Sequence, residues 1–380
     1  MKQIRHILSV LMIILIVVLA TGTVVERLHG STFALSHVYG TWWFVGLWAL
    51  VAILMVWIAV KTKMWKRFTV FVMHLAILLI LVGALLTKLT GMHGEITLKP
   101  GVTMRGELPF TLTLDRFEVV PYPGTHKPMD FVSHVIIDAG SEGEEKAAIS
   151  MNHILKRQHY RFYQTDYDAK GNSTLSVARD PWGIGITYTG YVLLFLALVA
   201  MLVVHGKTAP KAITVSWLAV LIVLMVLLHI RMLTHQLMPV LRSPLFSLHI
   251  STIVTAYALL LAIMVVGIVA MIKAKDLARL EKLKTLSMSM LYPAVALLTI
   301  GIFVGAVWAN ISWGNYWSWD PKEVWALITL LIYAAPLHGS IWKLFQKPRI
   351  FHYYCIFAFL SVVITYFGVN LILGGVHAYN

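Results

Sequence analysis

Long apolar runs alternate with short charged segments along most of this chain. A bilayer core of about 30 Å needs roughly 20 apolar residues in a helix. By that length the sequence predicts about nine membrane-spanning helices, near residues 7–25, 41–60, 68–88, 184–205, 212–230, 247–272, 289–308, 323–342 and 351–374. The first run resembles a signal peptide, but no small-residue cleavage site precedes Glu26 and Arg27, so we expect a retained helix.

Residues 90–183 break this pattern and alternate apolar with polar positions instead. The alternation is clear at 95–98, 110–114 and 132–136, and turn sequences such as Pro123-Gly124 separate the runs. Such segments are typical of half-buried β-strands. The predicted fold class is therefore an all-α polytopic membrane protein with a small β-rich extracytoplasmic domain.

Basic residues cluster between the apolar runs, and the clusters share one side if every predicted helix crosses the membrane. They lie at residues 2–5, 61–67, 207–211, 273–284 and 343–349. The positive-inside rule makes that side cytoplasmic. It predicts a cytoplasmic N-terminus and places the β-rich domain, the loop at 313–321 and the C-terminus outside. The polar segment 273–287 carries charges at helical spacing, which predicts a short surface helix there.

Composition supports a membrane protein and narrows its chemistry. The 380 residues are 59% hydrophobic and only 13% charged, whereas a soluble domain is about 25% charged. The net charge of +14 comes without a basic stripe, so nucleic acid is not a predicted partner. The single cysteine, Cys355, lies in an apolar run, which excludes a disulfide framework or a Cys-x-x-Cys redox pair.

An aromatic cluster stands out in the polar gap between two apolar runs. It contains Trp313, Tyr316, Trp317 and Trp319 within seven positions. Individual rings of this kind often lie at a membrane interface, because one edge is apolar and the other forms hydrogen bonds. For the whole cluster we favour a flat aromatic surface that receives a flat ligand.

Helix-start signals follow the cluster directly. Asp320 suits an N-cap, Pro321 suits the first helical position, and Glu323 would complete a capping box. These signals predict that the aromatic loop is fixed to the start of the next helix.

Four of the sixteen histidines lie where a functional role is plausible. His74 and His338 fall within predicted spans, whereas His249 and His377 flank the loop on the outer side. Ionisable residues inside a membrane are costly and usually functional, and two imidazoles can hold one haem iron. For each histidine alone, a hydrogen bond between helices or a place at the interface remains the alternative. His205 and His229 fit the interface, and His235 is a weaker outer candidate.

The sequence Trp313-Gly314-x-x-Trp317-x-Trp319-Asp320 resembles the WWD signature of haem-handling proteins in cytochrome c maturation. Residues 244–249, 366–370 and 373–379 resemble the CcsA (ResC) branch. Residues 74–83, Asn152, 160–168 and 179–181 resemble CcsB (ResB). The chain therefore resembles a compact CcsB–CcsA fusion, the system II cytochrome c synthase. Its expected parts are CcsB-like helices at 1–89 and 184–206, the short outer domain at 90–183, and a CcsA-like domain at 207–380.

The resemblance implies a haem-handling site and its partners. His74 and His338 would ligate haem b within the membrane, and His249 and His377 would ligate it at the outer surface. The platform against the porphyrin would be Trp313, Trp317, Trp319 and Asp320. The expected activity is haem export and thioether formation between haem vinyls and a Cys-x-x-Cys-His segment of apocytochrome c, in a bacterial inner membrane. A thioredoxin-like thiol reductant is a further candidate partner.

Two other function classes fit parts of the pattern. Histidines within spans also occur in membrane b-type haem subunits that transfer electrons to a quinone. A transporter could use the same histidines as a proton relay, and it would bind no haem. The aromatic loop favours haem attachment over electron transfer, because an electron-transfer subunit rarely needs several tryptophans outside the bilayer, whereas haem absorbance would separate the transporter from both.

Overall fold

The structure, a computed structural model, describes residues 2–106, 108–273 and 276–374. Within these ranges the helices are α1 (Lys2–His29), α2 (Ser31–Ala34), α3 (Trp42–Lys61), α4 (Phe68–Thr90), α5 (Gly183–Thr208), α6 (Lys211–Thr234), α7 (Pro244–Lys273), α8 (Leu277–Trp313), α9 (Pro321–Ala334) and α10 (Pro348–Val363). The strands are β1 (Met92–Leu98), β2 (Thr103–Met104), β3 (Leu112–Pro121), β4 (Pro128–Ile137), β5 (Glu145–Ile149), β6 (Leu155–Arg157), β7 (Tyr160–Tyr167) and β8 (Ser173–Arg179).

Eight helices in the described ranges are long and apolar enough to cross a membrane. They are α1 from His6 onward, α3, α4, α5, α6, α7, α8, and α10 with its π-helical continuation to Leu373. Together with the β-rich segment between α4 and α5, they confirm the predicted fold class of a polytopic helical membrane protein.

The predicted span at 323–342 has a different form. Its α-helix, α9, has 14 residues and continues as a 3₁₀ turn over Ala335–His338. The break falls at Pro336, which lacks an amide hydrogen for the helix ladder. At about 1.5 Å per α-helical and 2.0 Å per 3₁₀ residue, the segment still extends roughly 29 Å, close to the apolar thickness of a bilayer.

The segment predicted as a short surface helix at 273–287 is helical from Leu277, but it forms the first part of the long helix α8 and is not a short helix of its own. Asp276 caps α8 by accepting a hydrogen bond from the backbone N–H of Arg279 at 2.7 Å. From there α8 runs without interruption for 37 residues, roughly 55 Å. No helix-breaking residue interrupts its first turns, so the polar segment simply propagates into the span. Helix α8 is also the most buried of the membrane helices.

The β-rich segment forms two four-stranded sheets in the described residues. Their strand orders are β1-β8-β7-β6 and β2-β3-β4-β5, with antiparallel pairing throughout. Apolar side chains of both sheets share one core, which includes Leu114, Ile137 and Phe162. A buried hydrogen bond of 2.6 Å from Ser133 to Gln164 also crosses between the sheets. The segment is therefore a small β-sandwich.

Small residues bring α4 and α5 into close contact at the ends that adjoin the β-sandwich. A Cβ added to Gly83 would overlap Thr187, and one added to Gly183 would overlap Thr87. Each glycine is therefore paired with a residue of the facing helix in a small-xxx-small arrangement, which lets the two backbones approach. The Thr87 hydroxyl also donates a 2.6 Å hydrogen bond to Asp180, just after β8.

The β-sandwich also contacts the second half of the chain. The hydroxyl of Tyr122 donates to the backbone carbonyl of Leu237 at 2.9 Å. The side-chain amide of Asn152 donates to the backbone carbonyl of Pro239 at 3.0 Å. Both acceptors precede α7. These contacts hold the sandwich at the same end of the helix bundle as the aromatic loop.

We expect Gly83→Val to force α4 and α5 apart, because the added side chain has no space against Thr187. Overpacking of this kind costs about 1–3 kcal/mol. The matched control is Gly46→Val on α3, where an added Cβ meets nothing within 4 Å. Thermal unfolding of the purified proteins in detergent should show a lower midpoint for Gly83→Val only. Equal midpoints for the two variants would contradict the close packing.

Candidate functional site

His74 and His338 lie side by side in the helix bundle. His74 belongs to α4, and His338 ends the 3₁₀ turn after α9. Their ring centroids are 6.1 Å apart, and the ring planes meet at 85°. Although 264 positions separate them in the sequence, the fold brings together the two histidines that were predicted to lie within the membrane.

Both rings are oriented by their own helix. The Nδ1 atom of His74 donates to the carbonyl of Val70 at 2.8 Å, and that of His338 donates to Ala334 at 2.8 Å. A carbonyl oxygen only accepts hydrogen bonds, so the proton of each neutral ring lies on Nδ1. The Nε2 atoms are then left with the lone pairs that bind metals, as in most metal-ligating histidines.

The spacing of these rings fits one metal ion between them. A ring nitrogen lies roughly 1 Å from its centroid, and a metal–imidazole bond is about 2.0–2.1 Å long. When two imidazoles bind one ion from opposite sides, their ring centroids therefore lie roughly 6 Å apart. The observed 6.1 Å and the shared tautomer are compatible with axial ligation of a haem iron.

His249 is held in the same way where α7 packs on α8. Its Nδ1 donates to the carbonyl of Gly301 at 2.7 Å, and its ring lies against Gly305, where an added Cβ would be 2.6 Å from Nδ1. Gly301 and Gly305 form a small-xxx-small pair. That spacing is visible in the sequence and could have indicated the close helix approach that accommodates His249.

Two further predicted histidines, His377 and His205, differ from this arrangement. His377 lies outside the described residues, so its position relative to His249 remains a prediction. His205 uses the opposite nitrogen, since its Nε2 donates to the carbonyl of Ser289 at 2.8 Å. That bond ties α5 to α8 and gives His205 a structural role between helices.

The helix start predicted after the aromatic loop is present. Asp320 is the N-cap of α9 and accepts a 2.9 Å hydrogen bond from the backbone N–H of Lys322, with Pro321 at the first helical position. Glu323 extends further back than a capping box requires. Its carboxylate accepts from the backbone N–H of Ser318 at 2.8 Å and from the Ser318 hydroxyl at 3.2 Å. Asp320 and Glu323 together fix the loop to α9.

Trp319 is packed against the N-terminal helices. Its ring stacks on Tyr39 at 4.9 Å and 9°, and it meets Phe44 edge-on at 4.9 Å. Its backbone is left-handed, with φ +61°, which costs roughly 1–2 kcal/mol for a non-glycine residue. Two aromatic pairs contribute about 0.5–1.5 kcal/mol each beyond their buried area. Ring packing can therefore offset the backbone strain.

The tryptophan rings of the loop do not lie in one plane. The rings of Trp317 and Trp319 meet at 80°. Trp313 packs edge-on against Trp308 at 5.1 Å, and Trp308 in turn lies nearly parallel to His249 at 6.5 Å. The loop thus joins a chain of aromatic contacts that leads to His249.

Gly314 is the point at which the β-sandwich contacts the loop. It ends α8 with φ +88°, and an added Cβ would lie 2.7 Å from the ring of Tyr163 on β7. Its carbonyl accepts a 3.2 Å hydrogen bond from Asn310, whose side-chain oxygen accepts one of 3.2 Å from Tyr188. Glycine is therefore required here for both its conformation and its lack of a side chain.

Burial keeps two hydroxyls near this contact protonated. It raises the pKa of Tyr163 to about 12, and it raises the pKa of Tyr316 well above the usual range. Among the described residues the Tyr316 hydroxyl has no hydrogen-bond partner, whereas the Tyr163 hydroxyl lies close to the Arg161 guanidinium. Both therefore remain potential donors at physiological pH.

Several residues of this region were not predicted from the sequence. Tyr39 covers Trp319, Tyr163 covers Gly314, and Tyr188 orients Asn310, each from an element distant along the chain. Tyr163 lies in the segment that resembles CcsB, but no local pattern connects it to the loop. These contacts depend on how the helices and the sandwich pack.

The fold and this site together define a multi-pass membrane protein with a pair of histidines in its helix bundle and an aromatic loop at the opposite end of α9. Comparison with known families gives a more specific assignment. Residues 184–377 match the family described as cytochrome C assembly protein, and residues 54–178 match the ResB-like family. The chain belongs to the cytochrome c assembly protein family, with a ResB-like part joined to it in one polypeptide.

Curated relatives carry related names. The chain is 53% identical over 102 residues to the cytochrome c biogenesis protein CcsA of Pyropia yezoensis, covering 26% of this chain and 31% of that protein. It is 38% identical over 172 residues to CcsA of Guillardia theta, covering 38% and 56%. It is 36% identical over 152 residues to the protein NrfI of Wolinella succinogenes, covering 38% and 17%. The matches thus span less than two thirds of each relative.

We expect Gly314→Ala to destabilise the protein more than Gly30→Ala. Both glycines have φ +88°, so both variants carry the left-handed cost of about 1–2 kcal/mol, but Gly30 has open space around it. Only Gly314→Ala also collides with Tyr163. Thermal midpoints in detergent should fall further for Gly314→Ala, and Tyr163→Ala should reduce that extra loss in the double variant. Equal losses for the two glycine variants would argue against the contact.

Proposed function

We propose that this protein acts in cytochrome c biogenesis by carrying haem across the membrane and attaching it to apocytochrome c. The observation that carries the proposal is the His74–His338 pair, with its 6.1 Å centroid distance and its matching Nδ1 hydrogen bonds. Membership of the cytochrome c assembly family supports the same process. Haem is here a substrate, taken up as haem b.

The intramembrane pair would hold haem on its way from the cytoplasmic side. His74 and His338 present unprotonated Nε2 atoms, which suit iron ligation. Because each Nδ1 proton is fixed to a helix carbonyl, the rings need little reorganisation when they bind. Such preorganisation lowers the cost of binding.

The outer site would consist of His249 and His377 as iron ligands beside the aromatic loop. Trp313, Trp317, Trp319 and Asp320 are the proposed platform. Since the rings differ in plane, we expect some to meet the porphyrin by a face and others by an edge. The role of Asp320 is to hold the loop in place, because as the N-cap it accepts a backbone hydrogen bond at the start of α9.

In the proposed reaction each thiol of a Cys-x-x-Cys-His segment adds across a haem vinyl group. A carbon–sulfur bond forms, the vinyl double bond becomes single, and the thiol proton ends on carbon, so no net oxidant is needed. The cysteine of this chain, Cys355, is fully buried in the helix bundle, so the thiols come from the apocytochrome. The protein would orient the reactants and exclude competing reactions.

The proposed setting follows from this chemistry and from charge. With the basic segments in the cytoplasm of a bacterial inner membrane, the loop and the β-sandwich face the outer compartment. The thiols must reach the site reduced, which makes a thioredoxin-like reductant a suitable partner.

We expect His74→Ala and His338→Ala each to remove the bis-histidine b-type spectrum of haem bound in the membrane, because either change leaves the iron with one axial imidazole. The control is His229→Ala, an exposed histidine near the end of α6. Absorbance spectra of proteins purified in detergent, with pyridine haemochrome quantification, provide the measurement. A wild-type spectrum in either variant would refute ligation by this pair.

The same preparations separate the proposal from its alternatives. A protein that binds haem and exchanges electrons with a quinone, but forms no covalent product, would be an electron-transfer subunit. A protein without any Soret absorbance would favour a proton-relay transporter.

We expect the double variant His249→Ala with His377→Ala to abolish holocytochrome c formation while the spectrum of the His74–His338 site persists. The matched control is His126→Ala, an exposed histidine in the turn between β3 and β4 of the sandwich. Covalent haem can be read by peroxidase staining of denatured co-expressed cytochrome c. Normal holocytochrome in the double variant would exclude these histidines from the outer site.

A further inference from the structure

Two buried rings from the N-terminal part of the chain hold Trp319 of the aromatic loop. Tyr39 is 4% exposed and Phe44 is 1% exposed, and their own rings meet at 5.5 Å and 73°. Tyr39 stacks on the Trp319 indole at 4.9 Å with 9° between the planes, whereas Phe44 meets that indole edge-on at 4.9 Å. Each of the three rings therefore contacts the other two.

The Tyr39 ring is itself fixed against α1. Its hydroxyl donates a 3.2 Å hydrogen bond to the backbone carbonyl of Leu19. A Cβ added to Gly22 would overlap that hydroxyl, so the glycine is what lets the ring lie so close to the helix. A ring that is bonded at its hydroxyl and packed along its face has little freedom to turn.

Helix α1 is also joined directly to α9, the helix that follows the loop. The indole N–H of Trp325 donates a 3.2 Å hydrogen bond to the hydroxyl of Thr23. Thr23 lies one position after Gly22, so this bond is beside the place where Tyr39 rests on α1. The Tyr39 ring and the aromatic loop thus share one support.

The backbone of Trp319 needs such support. Its φ of +61° is unfavourable for a bulky residue. Strained conformations of this kind persist only where the surroundings impose them, and they cluster at functional sites. The contacts with Tyr39 and Phe44 are what the structure offers to hold the indole in this conformation.

Stacking by Tyr39 also limits how Trp319 can meet a ligand. The two planes are nearly parallel, so one face of the indole is covered. Trp317 meets the same indole at 80°. The indole can therefore meet a porphyrin with its opposite face or with an edge, and a ring that is oriented in advance lowers the cost of binding.

Resting on the proposed function, we propose that Tyr39 is a positioning residue of the outer haem site, which orients the Trp319 indole toward the porphyrin. Tyr39 and Phe44 both precede residue 54, where the match to the ResB-like family begins. The N-terminal segment of this chain is thereby part of the outer site.

Haem titration of proteins that all carry His74→Ala and His338→Ala tests the proposal, because Soret absorbance then reports on the outer site. We expect Tyr39→Leu to weaken haem binding about tenfold, or about 1.4 kcal/mol, because Trp319 loses the ring that orients it. Tyr39→Phe keeps that ring and should retain most of the parent affinity.

A double-variant series shows whether Tyr39 acts through Trp319. Trp319→Leu should weaken haem binding at least as much as Tyr39→Leu does. Adding Tyr39→Leu to Trp319→Leu should then cause little further loss, because the effects of residues in contact are not additive. Additive losses would mean that Tyr39 acts independently of the indole, and would overturn the proposal.

Two controls separate positioning from a general loss of packing. Phe33→Leu removes an exposed ring of the same outer segment, one that stacks on His37, and it should leave haem affinity unchanged. In a protein with His249→Ala and His377→Ala, Tyr39→Leu should leave the spectrum of the His74–His338 pair unchanged. Loss of that spectrum would show a general loss of packing instead.

Further results would overturn the positioning role while leaving the proposed function intact. Tyr39→Leu could bind haem as tightly as the parent protein. Tyr39→Phe could lose as much affinity as Tyr39→Leu, which would place the effect in the hydrogen bond to Leu19. If Tyr39→Leu does not fold, Phe44→Leu decides: about threefold weaker binding is expected, and full affinity would contradict the proposal. Failure of the parent protein to bind haem would instead count against the proposed outer site itself.

Discussion

A hydrogen bond from Nδ1 of histidine to a backbone carbonyl is the interaction on which the site depends. His74, His338 and His249 each make it, at 2.7–2.8 Å. Within an apolar bundle a polar ring must find a partner, and a carbonyl can only accept. The bond therefore fixes both the ring orientation and the tautomer, and in His74 and His338 the proton on Nδ1 leaves the lone pair of Nε2 for a metal. His205 shows the opposite choice: its Nε2 is used to join two helices, which distinguishes a structural histidine from a ligand candidate.

Close helix contacts make these bonds possible. Gly301 and Gly305 let α7 approach α8 and create the space in which the His249 ring lies. Gly83 and Gly183 do the same for α4 and α5. In a lipid environment small residues are a principal means of bringing helices together, since lipid tails are as apolar as the side chains. The boundary between the ResB-like and assembly parts is packed closely as well, since Tyr163 of the first covers Gly314 of the second.

Prediction from the sequence succeeded where a single local rule decides the outcome. Span length determined eight of the membrane helices, alternation determined the β-rich segment, and the Asp320-Pro321 pair determined the start of α9. It failed where two local rules compete. The charged segment 273–287 was predicted as a short surface helix, yet continuous helix propagation makes it the start of α8 from Leu277 onward. At 323–342 hydropathy predicted a span, but Pro336 converted its C-terminal end into a 3₁₀ turn that carries His338.

The sequence by itself determined the class of protein, the order of its elements and the residues capable of the chemistry, because hydropathy, charge and residue type are properties of each position. Only the tertiary structure decided which of those residues meet. The 6.1 Å between His74 and His338, the stacking of Tyr39 on Trp319 and the contact of Tyr163 with Gly314 all join segments that are distant along the chain. Such contacts follow from the packing of whole helices and sheets, which no local pattern encodes.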